Sequence, residues 1–135
     1  MTEDLWGTTF YVAGPMRNQP KLNFPLFFYV EGKLLLRGAV VFNPARKDVE
    51  AGLDWEQQNG TIEALKGVNF DMREAIAWDV GKIIEECDSL VLLPGWQQST
   101  GSITEYALAR FLDLTIYEWV DNDIHPMNRK VYLNV

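Results

Sequence analysis

The sequence predicts a doubly wound α/β domain, a parallel sheet of four to five strands with helices on both faces. Three observations carry that reading. Short β-forming runs alternate with stretches of helical periodicity along all 135 residues. One run, Ser89-Leu90-Val91-Leu92-Leu93, is apolar after its first residue, as a strand covered on both faces must be. It leads through the small-residue turn Ser99-Thr100-Gly101-Ser102 into an amphipathic stretch at 103–112.

Residues 8–13 are strand-like, and Gly14-Pro15-Met16-Arg17-Asn18 ends the strand. Asn23 is placed to cap a helix in which Phe24, Phe27, Phe28, Leu34 and Leu35 recur at helical spacing as far as the stop at Gly38. Ala39-Val40-Val41-Phe42 forms a second strand, closed by Asn43-Pro44. The segment 45–69 is polar, carries Gly52, Gly60 and Gly67, and reads as a long irregular excursion with at most a helical turn at 62–65. Helical spacing returns at 70–87 through Met72, Ile76, Val80, Ile83 and Ile84. The third strand is 89–93 and the fourth 114–119. The tail, 120–135, is polar until Val131-Tyr132-Leu133, a segment suited to an added edge strand or to docking on a neighbour. Without repeats or low-complexity tracts, the whole of 1–135 reads as one domain.

Composition narrows the function classes. A hydrophobic share of 47% supports an ordinary core. The net charge of −7, from 19 acids against 12 unclustered bases, argues against a duplex nucleic-acid partner, which requires a basic face. A small anion needs only a helix terminus and one arginine, so that class stays open. The single Cys87 allows no internal disulfide and suits a reducing interior. No signal-like segment or membrane-length apolar run is present, so a cytoplasmic protein without membrane contact is expected. One histidine, His125, and one cysteine make a metal centre built on those ligands improbable. No histidine neighbours a serine in the manner of a triad, and Gly14 alone is no dinucleotide fingerprint.

The candidate site lies where a parallel sheet binds ligands, beyond the carboxyl ends of its strands. The Gly14 to Asn18 loop, the Asn43-Pro44 loop and the Pro94 to Gly101 loop all end there. The turn at 99–102 offers backbone N–H groups and a positive helix end to an anion. Glu105 sits one turn inside that helix, and an acid beside an anion cradle costs stability while serving chemistry. Arg17 suits a phosphate through its guanidinium fork, and Gly14 and Gly101 permit close backbone approach. Trp96 and Tyr11 are the aromatics placed to stack a planar ligand; Trp78 is expected in the core or at an interface.

Tyr11-Val12-Ala13-Gly14-Pro15-Met16-Arg17, Asn43-Pro44-Ala45, Ala77-Trp78-Asp79, the run from Cys87 to Trp96, and Ser99-x-Gly101-x-x-x-Glu105 occur in this order at suitable spacing. As a set they resemble the nucleoside 2-deoxyribosyltransferase-like superfamily, nearest its small bacterial and phage branch and the 2′-deoxynucleoside 5′-monophosphate N-hydrolases. The resemblance covers about 10–119. It implies a flavodoxin-like α/β domain, dimeric or larger, that cleaves the N-glycosidic bond of a nucleoside or nucleotide with no metal or organic cofactor. It also implies Glu105 as the nucleophile and Asp79 as the acid facing the departing base. Asp71 and Asp88 lie close enough in sequence to be alternatives to Asp79. Ser99 stands where the superfamily's transferases carry an acid, and a serine there resembles the monophosphate hydrolases: a hydroxyl donates to phosphate, whereas a carboxylate repels it.

The expectation is therefore an N-glycosidase acting on a (deoxy)nucleoside 5′-monophosphate through a covalent glutamyl–sugar intermediate. Base exchange by a deoxyribosyltransferase is the first alternative. A non-catalytic nucleotide sensor, or a NAD-cleaving relative, is the second. The sites expected to bind substrate are Tyr11, Gly14, Pro15, Met16, Arg17, Asn43, Trp96, Ser99 and Gly101.

Overall fold

A computed structural model describes residues 4–57 and 71–127. The elements follow in the order β1 (Thr9–Ala13), α1 (Phe24–Leu36), β2 (Val40–Phe42), α2 (Pro44–Glu50), α3 (Met72–Glu85), β3 (Ser89–Leu92), α4 (Thr100–Phe111), β4 (Thr115–Val120) and β5 (Asp123–Pro126), with short 3-10 turns at Pro20–Asn23, Trp55–Gln57 and Trp96–Gln98. The strands pair in the order β2-β1-β3-β4-β5, the first four parallel and β5 antiparallel to β4. This is an α/β Rossmann-like fold with a five-stranded, mostly parallel sheet and, among the described residues, four α-helices.

β1 and β3 are buried along almost their whole length, with apolar or aromatic side chains after Thr9 and Ser89, because both of their faces are covered. In β1 the alternation of side chains sends Phe10 and Val12 to one face and Tyr11 and Ala13 to the other. The first face packs on α1, whose Phe24, Phe27, Val30 and Leu34 are wholly buried at helical spacing. Truncating one of these phenylalanines to alanine costs about 3–5 kcal/mol. The second face packs on Ile83 of α3 and Ala109 of α4, together with Leu90, Leu92 and Ile116 from the sheet. Tyr11 thus faces the layer of α3 and α4, which carry Asp79 and Glu105.

Chain order makes the binding edge. From β1 the chain goes to β2 on one side, then crosses back to β3 on the other, so loops diverge above β1 and β3. Gly14 sits in that gap, and a Cβ there would lie 2.7 Å from the Leu93 Cβ. Only a glycine lets the two loops approach so closely. An added Cβ at Gly95 would touch the Pro15 ring at 3.4 Å, so the loops after β1 and β3 meet.

Three expectations need correction. Asn23 stands at the start of α1 in a left-handed conformation (φ 62°) and caps nothing; its side-chain amide instead donates to the Pro15 carbonyl at 3.0 Å, bracing the β1 loop. The excursion expected at 45–69 begins as a regular helix, α2, whose start is capped by the Asn43 side chain accepting from the Ala45 amide at 2.9 Å. Residues 58–69, with the helical turn expected at 62–65, lie outside the described residues. The polar start of the tail is not irregular either, because β5 pairs back on β4 through Asp121 and Asn122, both at positive φ (51° and 66°). Such a pair matches the twist that a two-residue hairpin turn requires. Val131-Tyr132-Leu133 lies outside the described residues. Among the described residues no helix is long and apolar enough to cross a membrane.

Candidate active site

The site is assembled from four elements. β1 supplies Tyr11, α2 Asp48, α3 Asp79 and α4 Glu105. The Tyr11 hydroxyl donates to Glu105 Oε2 at 2.7 Å. Tyr11 itself has no exposed surface, so its ring is fixed by the core and its hydroxyl is held at the core's upper boundary. Glu105 is half-buried and turned inward, placed by the spacing that also buries Ser102 and Ala109 on the sheet side of α4.

The helix start that presents Glu105 follows from its first residues. Ser99 takes an extended conformation and its Oγ accepts from the Ser102 amide at 3.2 Å, so the serine is the N-cap. Its hydroxyl proton is still available to an incoming acceptor. Gly101 is exposed, and a Cβ there would meet nothing nearer than Ser99 Oγ at 4.0 Å; the space above the helix start is open. The Ser102 hydroxyl is the surprise of this region. It is 1% exposed and has no hydrogen-bond partner among the described residues.

Electrostatics single out the acids. Burial, then the charge of Asp79, pushes Glu105 up to about 8 against the opposing hydrogen bond from Tyr11. Burial, then the charge of Asp48, pushes Asp79 up to about 7, against the Tyr11 hydroxyl and Lys47. Burial raises the Tyr11 hydroxyl well above its ordinary value, helped by Glu105 and Asp79, so it stays a donor. Asp79 and Glu105 therefore act as an interacting pair that keeps a proton near neutrality, with the Tyr11 phenol hydrogen-bonded to Glu105. The three carboxyls do not converge as metal ligands: among the described residues no group of three or more His, Cys, Asp or Glu side chains is arranged to hold an ion.

The competing aspartates have other work. Asp71 caps α3 by accepting from the Glu74 amide at 3.1 Å, and Asp88 accepts from the Thr9 amide and the Ser89 hydroxyl at the start of the sheet. Of the three aspartates, Asp79 alone acts on Glu105.

The remaining expected residues divide. Pro15 is buried and Met16 packs on the first core cluster, both shaping the β1 loop. Arg17 is exposed on that loop, and its guanidinium meets the Met72 thioether at 3.5 Å, bringing it to the start of α3. Asn43 is 3% exposed and occupied in capping α2, with a second contact to the Phe27 carbonyl at 3.4 Å, so it positions rather than lines the site. Neither aromatic expected to stack a ligand offers a free face. The Tyr11 ring is enclosed, and Trp96 is 6% exposed, its ring 4.8 Å from that of Tyr106 and its indole N–H donating to Glu118 at 3.2 Å. Gly95, at φ +86°, turns Trp96 inward. Trp78 packs in the second core cluster against Phe42.

A family model described as a domain of unknown function, DUF4406, matches residues 8–118. The chain belongs to the DUF4406 family. The matched span of this DUF4406 protein runs from just before β1 into β4 and contains all four site residues. No curated protein and no solved structure matches the chain.

Two features of the DUF4406 site escape sequence reasoning. Asp48 lies in the charged string Arg46-Lys47-Asp48, which reads as a solvated surface, yet it is 7% exposed. Ser102 reads as one more small residue of the turn.

Proposed function

We propose that this protein is an N-glycosidase that releases the base from a (deoxy)nucleoside 5′-monophosphate through a glutamyl–sugar intermediate. The observation that carries the reading is the Tyr11–Glu105 hydrogen bond of 2.7 Å, one turn inside an open anion-favouring helix start, with Asp79 sharing a proton with Glu105 as an interacting pair. Phosphate is held by the first N–H groups of α4 around Gly101, by the Ser99 hydroxyl and by Arg17. Glu105, as carboxylate, attacks C1′ on the face opposite the base. The C1′–N bond breaks, its electron pair leaves with the base, and protonated Asp79 gives that nitrogen its proton. Water then attacks C1′ of the ester while Asp79 takes the water's proton, freeing sugar phosphate and restoring Glu105. Tyr11 steadies the carboxylate in both steps. No cofactor enters this sequence.

Nucleotide substrates of this kind place the work in the cytoplasm. Exposed Ile76 and Ile84 on α3 with Ile103 and Phe111 on α4 give the outer helical layer an apolar character, which supports assembly with a second copy; light scattering measures it.

The test is incubation with nucleosides, deoxynucleotides and NAD, with chromatographic detection of freed base. Base released by wild type and not by Glu105→Ala is the expected result. A second free base added to the mixture separates hydrolysis from transfer, since only a transferase yields the exchanged nucleoside. Nucleotide binding with no base released by any form, wild type included, makes the crevice a sensor instead.

A further inference from the structure

One side chain at the start of α4 is buried with its hydrogen-bonding capacity unspent. Ser102 is 1% exposed, and its hydroxyl meets no partner among the described residues. The hydroxyls around it are accounted for. Ser99 Oγ accepts from the Ser102 amide at 3.2 Å, and the Thr104 hydroxyl donates to the Thr100 carbonyl at 2.9 Å. A buried hydroxyl without a partner costs the protein the contact it had with water. Such groups are rare in folded chains, and each calls for a specific cause.

The place of Ser102 in the fold supplies one. β3 and β4 are parallel, so α4, which joins them, runs antiparallel to the strands and starts at their carboxyl ends. Ser102, Glu105 and Ala109 fall on the face of α4 turned toward β1 and β3. Ser102 therefore lies three residues, about 4.5 Å along the helix, nearer the ligand-binding edge than Glu105. It is equally three residues from the Ser99 cap, midway between the helix start and the acid. On the face of β1 turned toward α4, the residue that follows Tyr11 is Ala13, whose methyl group offers no hydrogen bond. Tyr11 has its acid; Ser102 has none.

Resting on the glycosidase reading, phosphate lies at the helix start and C1′ at Glu105, so the sugar spans the turn that Ser102 occupies. Stereochemistry then selects the sugar atom. Attack on C1′ comes from the face opposite the base, and in a D-nucleotide the 3′-hydroxyl projects from that same face. Of the ring carbons that bear a hydroxyl, C3′ is also the one nearer the phosphate arm. We propose that Ser102 is a sugar-recognition residue whose hydroxyl pairs with the 3′-hydroxyl of the substrate. Each group both donates and accepts, so a bond in either direction satisfies the serine. Rotation about Cα–Cβ between staggered positions aims the hydroxyl without moving the helix.

The experiment crosses one protein change with one substrate change. Wild type and Ser102→Ala are assayed on the 5′-monophosphates of the four common deoxynucleosides and on their 2′,3′-dideoxy counterparts. Ser102→Ala is expected to lose about fivefold to tenfold in kcat/KM on the deoxynucleotides and nothing on the dideoxynucleotides. Comparing the two proteins cancels any effect of the 3′-hydroxyl on the reactivity of the glycosidic bond itself. Equal loss on both substrate sets, or none on either, overturns the proposal. A second measurement uses the protein alone. Ser102→Ala keeps the amide that Ser99 caps and deletes only the unmet hydroxyl. It should melt about 4 °C or more above wild type, beyond what the helix propensity of alanine supplies. A smaller gain, or a loss, means that the hydroxyl is satisfied within the protein and overturns the proposal. If wild type releases no base from any of these nucleotides, the glycosidase reading fails, and calorimetric binding of the same set decides for Ser102 separately. Tighter binding of the forms with a 3′-hydroxyl, lost in Ser102→Ala, upholds the role; equal binding, or none, ends it.

Discussion

The Tyr11 hydroxyl and Glu105 Oε2 meet at 2.7 Å although 94 positions separate them in the chain. A wholly buried ring from β1 thus fixes a donor against an acid on α4. Removing the hydroxyl isolates its contribution. In Tyr11→Phe the fold is retained, because the ring keeps its place in the core. Glu105 loses the hydrogen bond that favours its charged form, so it ionises at higher pH. Base release at pH 7 is expected to fall by roughly tenfold to a hundredfold, the worth of a hydrogen bond to a charged group. A pH–rate profile checks it, and an unshifted profile refutes it.

In wild type the same profile is expected to be narrow. The proposed reaction needs one proton on the Asp79–Glu105 pair, since the nucleophile must be charged and the acid must not. The pair gives up its protons near about 7 and about 8. Turnover is expected to decline below the lower value as both acids become protonated, and above the upper value as both ionise. Initial rates between pH 5 and 10 measure the two limbs; a rate constant across that range would mean that neither acid takes part.

Stability carries the same signature with opposite use. Glu105 and Asp79 hold protons more tightly folded than unfolded, so folding takes up protons between the ordinary carboxyl range and about 8. Stability therefore falls as pH rises through that window, and the loss is complete above the folded-state values. The melting temperature of wild type should drop between pH 5 and pH 8. Glu105→Gln should flatten that slope and raise the pH 8 value by about 4 °C or more. Calorimetry at the two pH values decides, and parallel slopes for the two proteins would contradict the buried-acid account.

Gly14 gives a test of how the loops fit. Gly14→Ala puts a methyl group 2.7 Å from the Leu93 Cβ and 3.0 Å from its Cγ and Cδ1. Overpacking of this kind costs about 1–3 kcal/mol. Adding Leu93→Ala removes the far part of the clash, so the double variant should be less unstable than the sum of the two single ones. Urea unfolding of the four proteins yields the coupling, and simple additivity would place the two residues out of contact.

The sheet was legible because its central strands have no polar alternative: Phe10, Tyr11 and Val12, like Leu90, Val91 and Leu92, carry β-forming side chains for both faces. Glu105 was legible through the turn before it. Asp79 rested on resemblance, since one aspartate in a helix looks like any other until Tyr11 is seen beside it. α2 was missed for want of length. Seven residues with apolar positions only at Ala45 and Val49 show no periodicity, although Asn43 before Pro44 is a sound helix-start signal that was taken as the close of a strand. Asp121-Asn122 likewise announced a hairpin that polar composition concealed. Trp96 misled because a loop aromatic was expected to face outward, and the left-handed Gly95 reverses it.

Each acid of the site rides on its own helix, with a strand supplying the phenol among them. No stretch of chain shorter than nearly the whole domain can assemble the chemistry. Any opening that peels away a single helix admits water and returns the acids to ordinary strength. On the proposed function, a half-formed copy emerging from synthesis, or one beginning to unravel, would release no base.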